Sequence, residues 1–200
     1  MAAEGVGRLL VASLHQSIAD ILPLRLDFYE HWLNENGLRD GTIGLASFLA
    51  VLSFLRQEGE VYQQVTTKAG QYAADWMIEA MPPMRRSMIR ALPAWWQQRV
   101  VIGLVDRLAR RSYPRSRAAW TIRRGVARIR VGRSVFCSVR EPAPYPLCTF
   151  YASACTRLLA IFSFETHADI LSCRGTGESL CELSVQLVTP AGAATEVRPV

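Results

Sequence analysis

The stretch ETHADILSCRGTGESLCELSVQLV, residues 165–188, decides the fold class of the C-terminal half of the chain. Apolar side chains recur in residues 165–173 and 180–188, and the segment between them holds two glycines, a threonine and a serine. Short apolar runs on either side of such a segment predict a β-hairpin, in which Gly175 and Gly177 serve the turn.

Upstream of this hairpin, residues 147–162 carry apolar side chains at helical spacing. Residues 120–131 and 134–140 alternate between apolar and polar side chains, with Gly132-Arg133 between them. This pattern predicts a second hairpin before the helix. The C-terminal half is therefore expected to have the order β-β-α-β-β.

The first 113 residues are expected to be mostly helical. Two helices in residues 5–37 separate at Pro23, and Pro82-Pro83 ends a later helix. The other predicted helices are at residues 43–57, 61–81, 84–92 and 94–111, with turn or stop signals at Asn36-Gly37 and Asp40-Gly41-Thr42.

The fold class is thus α+β, with N-terminal helices followed by a mainly antiparallel sheet of two hairpins flanking one helix. We divide the chain into an N-terminal helical extension at residues 1–60, a ligand-binding domain at residues 61–188 and a flexible tail at residues 189–200.

Composition indicates a folded chain, since half of the residues are hydrophobic. The N-terminus lacks the pattern of an export signal, and the longest apolar run, residues 43–55, is shorter than the roughly 20 residues of a spanning helix. Five cysteines, an odd number, indicate reduced thiols. We expect a cytoplasmic protein, with peripheral attachment to a membrane as an alternative.

Arginine is concentrated in residues 84–133, which carry 14 arginines and one acidic residue, for a net charge of +13 in a chain whose total is +6. Such a window favours an anionic partner. An anionic membrane surface would use Trp95 and Trp96, which begin an amphipathic helix. Ligand carboxylates, an acidic protein and a solvated face without a partner remain alternatives. Nucleic acid is disfavoured because no reading motif is present.

Cysteines at both ends of the C-terminal turn suggest a metal site. Zinc binds thiolates and imidazoles. The candidate ligands are Cys173, Cys181, Cys148 on the preceding helix and His167 on the incoming strand. Zinc is the less favoured cofactor because close CxxC pairs, its usual ligands, are missing. The alternatives are that these small side chains pack between the sheet and the helix, or that two of them form a disulfide.

Catalytic motifs are absent, since the sequence contains no HExxH, no G-x-S-x-G and no Walker motif. We therefore favour a binding protein over an enzyme. Aromatic and methionine side chains are suited to line a pocket for a flat apolar ligand, and arginine to bind its carboxylates. The candidate ligand-binding residues are Trp76, Met88, Trp95, Trp96, Arg99 and Tyr151.

Several short motifs occur in the order typical of a known family. They are Ala69-Gly70 with Ala74-Asp75-Trp76, Leu92-Pro93, Cys148-Thr-Phe-Tyr151, and the ending Cys173-x-Gly-x-Gly-x-x-x-Cys181-Glu-Leu. Through them, residues 67–187 resemble the 4-vinyl reductase domain, a family of small-molecule-binding modules related in fold to subunits of the TRAPP vesicle-tethering complex. The layout is most similar to that of members from bacteriochlorophyll biosynthesis.

The resemblance implies a buried apolar pocket and a homodimer. It implies a non-catalytic carrier of a hydrophobic anionic small molecule, with a tetrapyrrole intermediate of (bacterio)chlorophyll biosynthesis in photosynthesis as the bound group. A vinyl-group reductase of the same pathway, and a scaffold that docks to a membrane or an acidic protein through its basic face, remain the alternatives.

Overall fold

The computed structural model describes residues 5–33 and 43–187. Its elements, in chain order, are β1 (Gly5–Val6), α1 (Arg8–Ile21), α2 (Leu26–Leu33), β2 (Ile43–Gly44), α3 (Leu45–Gln57), α4 (Glu60–Glu79), α5 (Pro83–Arg90), α6 (Ala94–Ser112), β3 (Arg117–Arg123), β4 (Val126–Gly132), α7 (Thr149–Ile161), β5 (Ala168–Ser172) and β6 (Cys181–Gln186). Short 3₁₀ turns occur at Pro23–Arg25, Val135–Cys137 and Arg174–Thr176. The signals expected at Asn36-Gly37 and at residues 40–42, and the tail at 189–200, lie outside the described residues.

The main sheet has four antiparallel strands in the order β3-β4-β6-β5. The β3-β4 hairpin turns at Arg124 and Gly125, whose φ angles are 49° and 75°. Positive φ at both central residues is typical of the tightest hairpin turns. Strands β5 and β6 form the second hairpin, and α7 lies between the two hairpins in sequence. The α+β class and the β-β-α-β-β order are confirmed.

One continuous core joins the sheet to the helices. Strand β4 shows why the sheet has a buried face: Ala127, Ile129 and Val131 are buried, and Arg128 and Arg130 between them are exposed. Helix α7 packs against α4, α6 and β5, and α1 packs against α4. Buried side chains of α1 and α3 belong to the same apolar cluster as those of the sheet. The division of the chain at residue 60 stays a prediction.

The sequence-based positions of the longer helices are accurate, but one hairpin was misplaced. Helices expected at residues 43–57, 61–81, 94–111 and 147–162 correspond to α3, α4, α6 and α7. The expected strand at residues 134–140 is wrong, because β4 ends at Gly132 and a 3₁₀ turn follows. Phe136 in this turn is fully buried, with its ring 4.9 Å from that of Phe150. After Gly132 the chain therefore leaves the sheet, and the Phe136 side chain packs in the core.

Among the described residues, no single helix is long and apolar enough to cross a membrane. Helix α1 and the segment Pro23–Leu33 together have the length and composition of a span, but they are bent by 116° relative to each other. In α1, the apolar residues Leu10, Leu14 and Ile18 are buried in the protein core.

Candidate metal centre

Four of the five cysteines meet at one point of the fold. Cys137 ends the 3₁₀ turn after β4, and Cys148 precedes the first residue of α7. Cys173 follows β5, and Cys181 begins β6. Their Sγ atoms all lie within 4.8 Å of one another. We call these four residues the thiol cluster.

The sulfur–sulfur distances in the thiol cluster are those of separate thiols around a common centre. Cys148 Sγ lies 3.2 Å from both Cys137 Sγ and Cys173 Sγ, and Cys137 Sγ lies 3.4 Å from Cys181 Sγ. Disulfide sulfurs would be about 2.05 Å apart. Four thiolates about 2.3 Å from one zinc ion would be about 3.8 Å from one another. A tetrahedral metal ion therefore requires only small movements of these side chains.

Backbone hydrogen bonds in the thiol cluster favour deprotonated sulfur at Cys173 and Cys181. The backbone amide of Leu147 donates to Cys173 Sγ at 3.3 Å, and that of Arg174 donates to Cys181 Sγ at 3.4 Å. The pKa of Cys173 is lowered, chiefly by its hydrogen bond with Cys137, whereas the pKa of Cys148 is raised, chiefly by its own hydrogen bond with Cys137. Since like charges disfavour one another, these thiols cannot all ionise without a cation between them. A divalent metal ion would supply that charge.

Two glycines allow the β5-β6 loop to close around the thiol cluster. Gly177 has a φ of 94°, in the left-handed region that favours glycine. A Cβ atom on Gly175 would lie 2.7 Å from Leu147 Cδ1, and Leu147 immediately precedes Cys148. The amide of Ala143 also donates to the Gly175 carbonyl at 2.7 Å. These contacts bring the two cysteine-bearing loops together.

Side chains from α3 and α4 hold the first of these loops. Arg56 Nη1 donates to the carbonyl of Phe136, the residue before Cys137, at 3.4 Å. The Tyr145 hydroxyl donates to the Arg56 carbonyl at 2.9 Å, and the Tyr62 hydroxyl donates to the Leu147 carbonyl at 3.2 Å. Arg56 thus places a cation beside the residue that precedes Cys137.

A groove of about 620 Å³ lies between α4, α7 and β5. Two of its three walls adjoin the thiol cluster, because α7 begins directly after Cys148 and β5 ends directly before Cys173. The polar side chains that line the groove include Thr67, Gln71, Thr149, Arg157, His167 and Asp169.

The structure brings together three of the four expected metal ligands. Cys148, Cys173 and Cys181 belong to the thiol cluster, whereas His167 is exposed and lines the groove. Cys137 takes the fourth place, and sequence reasoning missed it. A signal was available, because Cys137 and Cys148 flank a proline-rich loop much as Cys173 and Cys181 flank the glycine-rich one.

The expected ligand-binding residues do not share one site. Tyr151 is fully buried, and Trp76 is half-buried and stacked on Tyr72. None of the expected residues lines the groove. The remaining four are exposed on or beside α5 and the first turns of α6: Met88, Trp95, Trp96 and Arg99.

Comparison with solved structures identifies the class of fold, although no protein-family model and no curated protein matches this chain. The fold is that of H-NOX proteins. An H-NOX protein from S. oneidensis in the Fe(II) ligation state matches with a TM-score of 0.58 at 11% identity, over 92% of this chain and 96% of its own. An H-NOX protein of that organism in the Fe(II)NO state matches with a TM-score of 0.57 at 12% identity, over 92% of this chain and 99% of its own. An Fe(II) unliganded variant of an H-NOX protein from K. algicida matches with a TM-score of 0.57 at 9% identity, over 92% of this chain and 98% of its own.

These matches correct the family expectation drawn from the motifs. The resemblance to the 4-vinyl reductase domain was wrong, and so were the functions it implied, a carrier or reductase in bacteriochlorophyll biosynthesis. The motif residues have structural explanations in the observed fold. Gly70 lies at the contact between α4 and α7, and the cysteines of the motifs form the thiol cluster.

The matched H-NOX proteins contain ferrous iron, unliganded or with NO, which raises the question whether a histidine of this chain could bind iron. All three lie in the described residues and none is buried. His15 Nε2 is 2.7 Å from a carboxylate oxygen of Glu30, and His31 and His167 are exposed. Tetrapyrrole iron is most often held by a histidine inside an apolar pocket. These histidines do not fit such an iron, and the expectation of a bound tetrapyrrole stays a prediction.

Proposed function

We propose that this chain is a non-catalytic binding module of the H-NOX fold, built around a Zn²⁺ ion held by Cys137, Cys148, Cys173 and Cys181. The observation that carries the proposal is the approach of all four Sγ atoms to within 4.8 Å of one another. Four thiolates around zinc form a closed site without an open coordination position, which is typical of structural zinc. The metal therefore stabilises the fold instead of taking part in a reaction.

The surroundings of the thiol cluster suit such a centre. Four thiolates and one Zn²⁺ carry a net charge of −2, which needs nearby donors or cations. The amides of Leu147 and Arg174 donate to two of the sulfurs, and Arg56 lies against the loop that carries Cys137. Three of the four cysteines are buried, so water has little access to the centre.

The groove beside the thiol cluster is the proposed ligand site of this module. Its volume of about 620 Å³ is in the range of small-molecule pockets. Arg157, whose Nε donates to Asp75, and the exposed His167 and Asp169 suit a small polar ligand. Because two walls of the groove, α7 and β5, adjoin the cluster, metal binding would fix the distance between these two walls.

The test is metal analysis of the full chain, purified without chelators, and of single Cys→Ser variants. Wild type is expected to contain one zinc ion per chain, and Cys148→Ser is expected to lose it. Cys155→Ser is the matched control, because Cys155 is a buried cysteine of α7 outside the thiol cluster. A folded wild-type protein without metal, or equal loss of zinc in Cys155→Ser, would contradict the proposal.

An iron-based gas sensor is the second candidate, and the shared fold favours it. Iron analysis and a visible absorption spectrum of the same sample separate the two. Iron with an absorption spectrum that changes on addition of NO would support the sensor. Tetrahedral thiolate sites also accept iron, but the colour of such a centre would be lost in Cys148→Ser.

A further inference from the structure

Five large apolar side chains are exposed together on α5, the following turn and the start of α6. They are Met84 (75% exposed), Met88 (64%), Leu92 (36%), Trp95 (50%) and Trp96 (49%). We call them the apolar patch. Of the other exposed large apolar side chains of the described residues, Leu24, Phe28 and Trp32 lie in the segment Pro23–Leu33, whereas Trp120 is on β3 and Leu171 on β5. An exposed concentration of this kind marks an interaction surface.

Helix geometry explains why the apolar patch points away from the core. Met84 and Met88 are one turn apart on α5, so they share a face. Ile89 is the one buried side chain of that helix, and it lies on a different face. The rings of Trp95 and Trp96 contact each other, with their centroids 4.8 Å apart. Helix α5 is thus amphipathic, with an apolar face that no described element covers.

Positive charge surrounds the apolar patch. Residues 80–105 contain four arginines and no acidic residue. Arg85, Arg90 and Arg99 are exposed, and the Arg99 guanidinium lies 5.8 Å from the centre of the Trp95 ring. The basic surface continues along α6 to Arg107. The pKa of Arg107 is lowered first by burial and then by the positive charges of Arg111 and Arg85, so these arginines lie near one another.

We propose that the apolar patch and its arginines bind the surface of a membrane that contains anionic lipids. Helices that lie in the membrane interface combine an apolar face with Lys or Arg on their polar side. Tryptophan is enriched at that depth because its ring is apolar and its N–H is polar. Met84, Met88 and Leu92 would enter the boundary of the acyl chains, and the arginines would contact phosphates.

Other occupants suit this surface less well. A symmetric dimer through the apolar patch would bring the arginines of one copy against those of the other, because both copies use the same surface. Single-stranded nucleic acid would stack on Trp95 or Trp96 and bind the arginines. It would leave the three aliphatic side chains of the patch in water.

Flotation of the full chain with lipid vesicles tests the proposal. We expect binding to vesicles of equal parts phosphatidylglycerol and phosphatidylcholine, a blue shift of tryptophan fluorescence, and little binding to phosphatidylcholine alone. Each arginine at an anionic surface contributes about fivefold to binding. Arg85→Gln with Arg90→Gln is therefore expected to weaken binding by about 25-fold. Trp95→Ser with Trp96→Ser is expected to remove the blue shift.

Matched controls change the same residue types elsewhere. Arg123→Gln with Arg140→Gln removes two exposed charges, and Leu24→Ser with Leu171→Ser removes two exposed apolar side chains. Both controls are expected to bind like wild type. Absence of binding to anionic vesicles, or equal losses in patch and control variants, would overturn the proposal. So would a stable dimer in light scattering that dissociates in Trp95→Ser with Trp96→Ser, or binding to an oligonucleotide without binding to vesicles.

Discussion

Replacing Gly70 by alanine tests the contact between α4 and α7, the two helices that line the groove. A Cβ atom at Gly70 would lie 2.2 Å from Ser153 Oγ and 2.3 Å from the carbonyl oxygen of Phe150. The serine hydroxyl can rotate, at the loss of its hydrogen bond to the Thr67 carbonyl. The Phe150 oxygen belongs to the backbone of α7, so the two helices must separate by roughly 1 Å in a close-packed interior.

The expected cost follows from this geometry. Overpacking costs about 3 kcal/mol when backbone must move, and the lost hydrogen bond adds about 1 kcal/mol. Alanine gains about 1 kcal/mol over glycine within a helix. Gly70→Ala is therefore expected to lower the free energy of unfolding by about 3 kcal/mol.

Urea unfolding followed by circular dichroism measures this difference. Gly103→Ala is the matched control, because Gly103 is also in a helix but its Cβ would find its nearest neighbour, Trp120 Nε1, at 3.8 Å. This control is expected to be as stable as wild type or more stable by up to about 1 kcal/mol. If Gly70→Ala unfolds at the same urea concentration as Gly103→Ala, the close contact between α4 and α7 is refuted.

Two further predictions concern titratable groups. Hydrogen bonds from Tyr72, Lys68 and Gln16 lower the pKa of Asp20 from 3.8 to about 2, so the stability they contribute is present at neutral pH and is lost as the pH falls from about 4 to about 2. Acid unfolding of Asp20→Asn should lack this contribution, and identical acid profiles of variant and wild type would argue against it. Thiol alkylation followed by peptide mass spectrometry should modify the partly exposed Cys137 first, and only after a zinc chelator is added. Cys155, whose pKa burial raises to about 12, should remain unmodified until the chain unfolds, and its early labelling would contradict the structure.

Sequence reasoning located most of the fold because its strongest signals are local. The alternation of Ala127, Ile129 and Val131 marks a strand with one buried face, and Pro82-Pro83 marks the end of α4. The turn of the first hairpin was missed because its two central residues are Arg124 and Gly125. Tight turns of this kind usually contain Asn-Gly or Asp-Gly, so the pattern did not distinguish this turn from Gly132-Arg133.

The thiol cluster was only partly predictable, for a different reason. Its four ligands come from four segments, and which of them meet depends on how α7 crosses the sheet. Cys137 was assigned to a strand, where its side chain would have been one more apolar position. The family motifs pointed to the wrong family because their residues have general structural roles. Glycine allows two helices to pack closely, and cysteines at loop ends can bind a metal ion. Proteins of different families therefore share them.

A metal ion in the thiol cluster would also hold residues 134–147 in position, although this segment has little regular secondary structure. This segment contains one 3₁₀ turn and no strand. Its bonds to the rest of the fold include those of Ala143 to Gly175 and of Tyr145 to Arg56. A metal ion between Cys137 and Cys148 would anchor the segment at both ends, and Cys173 and Cys181 would attach it to the second hairpin. Loss of the metal would then loosen this segment and the walls of the groove, while the packing of α1 on α4 and α6, which involves none of the ligands, would remain.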